Sequence, residues 1–256
     1  MTQGTPDLVV TPDPPSLAEA AAEKFTRVAE EAVARDGRFT VALAGGSTPR
    51  RLYSALARES HRSRIPWNAT HVFWGDERCV PSEHPESNYR MASETLLRHV
   101  PVPPGQIHRM RGEDPDPDRA AGDYERLLRM SFPREPGALP RFDLILLGMG
   151  ADGHTVSLFP GSPALRESTR LVVAPYVERL RAYRLTLTLP VLNGARAVLF
   201  LVSGEDKARM LKTVLEAAGR SHEIPSQMIW PSRGTVSWLV DSAAASLLAR
   251  REASLS

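Results

Sequence analysis

Phe142-Asp143-Leu144-Ile145-Leu146-Leu147-Gly148-Met149-Gly150 is the stretch on which the fold turns. A short apolar run stopped by glycines reads as a strand covered on both faces, the pattern of a parallel sheet. Working outward, the same pattern recurs at 39–44 before Gly45-Gly46, at 71–74 before Gly75, at 197–202 before Gly204, and at 236–240. Shorter apolar runs at 171–173 and 184–189, the second alternating Leu and Thr, are further expected strands.

Helical periodicity fills the intervals. Ser16 and Glu19 form a capping-box pattern that opens a helix ending at Gly37, with Phe25, Val28, Ala29, Ala32 and Val33 on one face. Thr48 as N-cap and Pro49 as first helical residue open another, striped by Leu52, Ala55 and Leu56. Helices are also expected at 88–100, 120–130, 205–218 (with Gly219 as its C′ residue) and 243–250, and a proline-rich surface loop at 101–118. Strands alternating with amphipathic helices define an α/β fold with a mostly parallel sheet. No repeat or composition break divides the chain. One domain over 16–256 is expected behind an irregular lead-in over 1–15, in which Leu8-Val9-Val10 is available as a short edge strand.

Composition narrows the function classes. Lys+Arg is 32 and Asp+Glu 30, a net charge of +2, which disfavours a nucleic-acid partner held by bulk positive charge. Only Lys24, Lys207 and Lys212 are lysines; the remaining cations are arginines. One cysteine, Cys79, leaves no disulfide framework or cysteine-built zinc site. No apolar run approaches the roughly 18 residues of a membrane span, and the acidic N-terminus lacks a signal-peptide pattern. The expectation is a cytoplasmic protein with no membrane and no nucleic acid as partners, monomeric or a small homo-oligomer.

In open α/β sheets ligands sit beyond the carboxyl ends of the strands. Four such ends carry polar residues. Gly45-Gly46-Ser47-Thr48-Pro49 offers close backbone approach, two hydroxyls and a helix N-terminus, an arrangement suited to an anion but matching no nucleotide loop. Gly75-Asp76-Glu77-Arg78 places three adjacent charges at a buried strand end, followed by His84-Pro85-Glu86-Ser87-Asn88-Tyr89. Arg78 suits bidentate phosphate binding, with Asp76 and Glu77 orienting it or acting on substrate; a solvated salt-bridged corner is the plainer reading. Gly148-Met149-Gly150-Ala151-Asp152-Gly153-His154 surrounds one histidine with glycines, and a histidine so placed suits a general base. Ser203-Gly204-Glu205-Asp206-Lys207 puts a cation at a helix start, where the dipole disfavours it, so a ligand anion is one partner for Lys207 and Asp206 the other. No metal-ligand spacing occurs, and no metal or other cofactor is expected.

These motifs, with Thr155-Val156-Ser157-Leu158-Phe159-Pro160 and the terminal Trp238-Leu239-Val240-Asp241, resemble the glucosamine-6-phosphate isomerase/6-phosphogluconolactonase family from residue 45 to 241. The resemblance implies a Rossmann-like α/β domain of the glucosamine-6-phosphate isomerase/ribose-5-phosphate isomerase-like kind. It implies a carboxylic-ester hydrolase that opens 6-phospho-D-glucono-1,5-lactone to 6-phosphogluconate, step two of the oxidative pentose phosphate pathway. It assigns the general base to His154 and the phosphate and substrate contacts to Gly45, Gly46, Ser47, Thr48, Arg78 and Lys207. Asp76, Glu77, Asn88 and Asp152 are supporting candidates, and Asp152 and Glu77 compete for the role of orienting His154. The rival within the family is glucosamine-6-phosphate deaminase, whose pattern has Asp-Glu-Tyr where this chain has Asp76-Glu77-Arg78, and an acidic residue where this chain has Phe159. A non-catalytic sugar-phosphate-binding protein is the other alternative. Pro225-Ser226-Gln227 departs from the lactonase pattern of Pro-Ala-Ser.

Overall fold

A computed structural model describes residues 7–132, 138–217, 219 and 221–249. Its ten strands are β1 (Asp7–Thr11), β2 (Phe39–Leu43), β3 (Thr70–Trp74), β4 (Asp76–Arg78), β5 (Leu144–Leu147), β6 (Val172–Val173), β7 (Tyr176–Val177), β8 (Ala182–Leu187), β9 (Ala197–Val202) and β10 (Thr235–Asp241). Its helices are α1 (Pro14–Asp36), α2 (Ser47–Leu56), α3 (Glu59–Arg62), α4 (Asn88–Thr95), α5 (Pro117–Ser131), α6 (Leu189–Leu192) and α7 (Ala208–Glu216). Six strands form one parallel sheet in the order β1-β10-β9-β5-β2-β3, so the fold is α/β with helices flanking a mostly parallel sheet.

Burial follows position in that order. Every residue of β2 and β5, in the middle of the sheet, is buried, whereas Val9 and Val10 on the edge strand β1 are exposed. The chain leaves β2 for β3 on one side and β5 for β9 on the other. The loops after β2 and β5 therefore part and open a crevice at the carboxyl ends, the usual ligand position in such sheets.

A small antiparallel sheet, β4-β8-β6 with β7 on β8, stands beside this crevice. The strand expected at 184–189 belongs to it and runs over Ala182–Leu187. Its alternating Leu and Thr fit a half-covered antiparallel strand.

Local chemistry moves several expected boundaries. Residues 7–11 of the expected lead-in form β1, paired with β10 through Asp7↔Ser237 to Thr11↔Asp241. The capping box at Ser16 is not the start of α1. Asp13 caps that helix by accepting from Ser16 N, and Pro14 and Pro15 fill its first positions, where no N–H is needed. Glu19 is thus free to turn toward α3. In α2 the N-cap is Gly46, at φ 105°, rather than Thr48, and helix begins at Ser47.

Helix α4 stops at Thr95 because Leu96 leaves helical geometry, and a 3-10 turn follows at Leu97–His99. The expected helix over 205–218 starts as a 3-10 turn, Glu205–Lys207, and ends at Glu216. Gly219 has the left-handed φ expected of it, 96°, but Ala217 is the C-cap. The last carbonyls of α7 are taken by the Gln227 amide, which donates to Thr213 O and Val214 O. That is the structural role of the residue that departs from the family pattern. Residues 242–247 form turns, not the expected last helix: Asp241 caps Ala244 N, a single i→i−4 bond from Ala245 N to Asp241 O follows, and the bonds from Ser246 and Leu248 run i→i−3; Arg250 lies outside the described residues.

The loop expected over 101–118 is more than surface. Val102 and Met110 are buried, and Ile107 bridges Val72 beside β3, shielding an edge strand that would otherwise be open to pairing. Among the described residues no helix is long and apolar enough to cross a membrane.

Candidate active site

The loops after β2, β5 and β9 and the strand β4 meet around a cavity of about 390 Å³. It is lined by Gly45, Gly46, Ser47 and Thr48 from the first loop, His154 from the second, Lys207 from the third, and Asp76 and Arg78 from β4, with Asn88 beneath. Sequence segments more than 150 positions apart thus face one space.

The histidine turn is built from its glycines. Gly153 sits at φ 82°, and its N–H donates to Gly150 O at 2.9 Å. A Cβ at Gly150 would collide with His154 Nδ1 and Asp152 Oδ1, so the imidazole occupies the space that a side chain at 150 would fill. Asp152 Oδ1 lies 2.5 Å from His154 Nδ1 and also accepts from His154 N–H at 3.2 Å. A donor proton on Nδ1 fixes the tautomer and leaves Nε2 as the basic nitrogen. Burial pushes the Asp152 carboxyl up, but the hydrogen bond and charge of His154, together with Arg179, outweigh it and hold the group below the usual carboxylate range. Of the two candidates for orienting His154, Asp152 is the one in contact with it, and Glu77 is not.

Glu77 is corrected by strand geometry. Side chains alternate across a strand, so Asp76 and Arg78 face the cavity while Glu77 points into the protein, 2% exposed. There it accepts from the backbone N–H groups of Arg78, Asn88 and Tyr89 and from the Ser87 hydroxyl. Burial raises its carboxyl above the usual range despite those bonds. Its part is to fasten the start of α4. Asp76 accepts from Ser157 Oγ at 2.6 Å and from Asn88 Nδ2 at 3.2 Å. The same Asn88 amide fills the space that a Cβ on Gly45 would need, so Gly45 and Asn88 support each other.

Cations converge from four elements. Arg78 on β4 is the cross-strand partner of Arg184 on β8, and directly opposed residues project to one face. Burial, then the neighbouring Arg78 charge, lowers the Arg184 guanidinium from its usual value. Neither arginine has a carboxylate ion-pair partner among the described residues. Two like charges held side by side in a cavity form a site ready for an anion. Lys207 lines the cavity and pairs with Asp206 at 2.8 Å, so both expected partners are open to it. Asp241 clamps its loop, accepting from Ser203 Oγ and from Gly204 N–H. Arg179, the fourth cation, reaches Asp152 Oδ2 at 2.7 Å.

Arg184, Arg179, Ser157 and Phe159 were not singled out as site residues by sequence. The alternation over 184–189 puts Arg184 on the face of Thr186, but only the pairing with β4 reveals what that face meets. Val156, at φ 44°, is a β-branched residue in a left-handed turn, closed by the Thr155–Leu158 bridge. Such a conformation is strained, and it aims Ser157 at Asp76.

The model of the family described as glucosamine-6-phosphate isomerases/6-phosphogluconolactonase matches residues 12–238, and the chain belongs to that family. It is 43% identical to a 6-phosphogluconolactonase of Synechocystis sp., over 89% of this chain and 92% of that one. The solved structure of 6-phosphogluconolactonase from Trypanosoma brucei covers 96% of this chain and all of its own, with a TM-score of 0.83 at 30% identity. A monomeric glucosamine-6-phosphate deaminase superposes with a TM-score of 0.78 at 22% identity, covering 94% of this chain and 99% of its own, a likeness of fold.

Proposed function

We propose that the protein hydrolyses 6-phospho-D-glucono-1,5-lactone to 6-phosphogluconate, as a soluble cytoplasmic enzyme working with side chains and water alone. The observation that carries this reading is the Asp152–His154 pair opening onto a cavity that also holds Arg78, Arg184 and Lys207. The 43% identity to a protein named for that activity supports the substrate.

A δ-lactone is an activated ester and asks for a positioned base, an anchored substrate and charge stabilisation. Nε2 of neutral His154 takes a proton as water attacks C1, a contribution of roughly 10²–10⁴-fold. The tetrahedral oxyanion is met by Arg78 or by backbone N–H groups of the Gly148–Gly153 turn. Collapse breaks the bond from C1 to the ring oxygen, and the imidazolium returns its proton to that oxygen. The phosphate, remote from the reacting carbon, is held by the Gly45-Gly46-Ser47-Thr48 turn and the cations, and keeps the lactone in register.

Deamination is not favoured. The deaminase pattern asks for an acidic residue at 159, and Phe159 packs instead against the His154 ring, tilted by 36° with the centroids 4.5 Å apart. The deciding experiment is product: acid released from 6-phosphogluconolactone supports the reading, and ammonia released from glucosamine 6-phosphate overturns it. Lactonase activity is expected to survive exhaustive chelation; loss restored by added metal would contradict the side-chain mechanism.

A further inference from the structure

The segment between β7 and β8 carries chemistry outside the motifs that mark the family. These strands form a hairpin through Tyr176↔Tyr183 and Val177↔Ala182, closed by a 3-10 turn, Glu178–Leu180, with Arg181 left-handed at φ 47°. The turn presents Arg179 to the cavity. Its guanidinium pairs with Asp152 Oδ2 at 2.7 Å and lies 4.5 Å from the centroid of the Phe159 ring. Phe159 in turn lies 4.5 Å from His154. Arg179 therefore reaches His154 by two routes, through a carboxylate and through an aromatic ring.

We infer that Arg179 is a positioning residue for His154, holding Asp152 and Phe159 from across the cavity so that the imidazole keeps one orientation. This rests on the reading of His154 as the base. Asp152 uses Oδ1 for His154 and Oδ2 for Arg179, so the carboxylate plane is held at both ends and cannot rotate away from Nδ1. The Arg179 guanidinium also lies over the Phe159 ring that packs against the imidazole, so the histidine is held from a second side. The other charged groups lining the cavity are Asp76, Arg78 and Arg184 from the small sheet and Lys207 from the β9 loop. All of them remain when Arg179 is replaced.

The test compares wild type, Arg179→Ala, Arg179→Lys and His154→Ala as full-length chains. Measured are the pH dependence of kcat/KM and the nitrogen NMR titration of the His154 ring. Arg179→Ala is expected to lower kcat about tenfold with a smaller change in KM. It is also expected to move the acid limb, and the NMR midpoint of His154, away from their wild-type values, because Asp152 then lacks its second partner. Arg179→Lys, which keeps the charge but not the planar fork, is expected to restore the limb and only part of kcat. An Arg179→Ala profile that scales down uniformly, with the His154 midpoint unmoved, overturns the inference. Wild-type turnover in His154→Ala overturns instead the reading of the base, and the NMR titration still decides the role of Arg179.

Discussion

Two series of arginine, carboxylate and histidine stand out among the described residues. Arg179–Asp152–His154 lines the cavity; Arg58–Glu19–His61 joins α3 to α1. Their contacts are nearly the same length, 2.7 and 2.5 Å in the first and 2.6 and 2.6 Å in the second. The histidines differ in what remains free. The His61 side chain is 4% exposed, with Nε2 on Glu19 and Nδ1 facing the Thr26 hydroxyl, so both nitrogens are occupied. The His154 side chain is 31% exposed and spends Nδ1 on Asp152, leaving Nε2 for a ligand. A carboxylate beside a histidine orients it; an uncommitted second nitrogen is what a base needs in addition, and of the two histidines it is His154 that keeps one.

Exchanging the two histidines for alanine should separate these roles most sharply. His154→Ala is expected to lower kcat by about 10²–10⁴-fold with an unchanged melting temperature. His61→Ala is expected to do the reverse: about 2 kcal/mol of stability lost in denaturant unfolding, from a buried void and broken hydrogen bonds, with kcat/KM of the folded fraction retained. Loss of turnover in His61→Ala without loss of stability would erase the contrast.

Lys207→Arg is expected to raise KM for the phosphorylated lactone a few-fold while sparing kcat, because a planar fork does not replace a compact ammonium. An unchanged KM would assign Lys207 to its pair with Asp206 alone.

The smallest effect concerns Glu19. Its carboxyl is held below the usual range first by the His61 hydrogen bond and then by Arg58, against the cost of burial. A lowered carboxylate stabilises the fold above its ordinary titration range and loses that contribution as pH falls through the lowered value. Glu19→Gln should therefore melt slightly below wild type at neutral pH, by no more than about 0.5 kcal/mol because the side chain is half exposed, and the gap should close in acid. A gap constant with pH would show that Glu19 works by packing.

Much of this architecture is legible in the sequence, and what is not has identifiable causes. The runs at 39–44, 142–147 and 197–202 mark central strands because burial on both faces leaves no other pattern, and the glycines after them mark the site. The Asp76-Glu77-Arg78 run misleads because adjacency in sequence is opposition across a strand. Arg179 stays hidden because a two-residue strand, β7, and a hairpin turn without glycine leave no periodicity to read, and Arg184 because the alternation over 184–189 gives its face but not what that face meets. Ser16 and Thr48 look like caps, yet Asp13 takes the first position because its side chain reaches Ser16 N, and Gly46 takes the second through its backbone at φ 105°, with no side-chain cap at all.

The pairing of β1 with β10 sets the order in which a growing chain completes itself. The partners lie about 230 positions apart, joined also by the hydrogen bond from Ser237 to Asp7. Asp241, at the end of β10, is what anchors Ser203 and Gly204, the turn that carries Lys207. On the ribosome, the first strand waits for nearly the last, and the cation arm of the cavity has no anchor until then. The histidine turn is made some ninety residues earlier, so a nascent chain holds His154 long before the turn that carries Lys207 is anchored. The Lys207 side of the cavity is thus completed late in synthesis, after the rest of the sheet has had time to close.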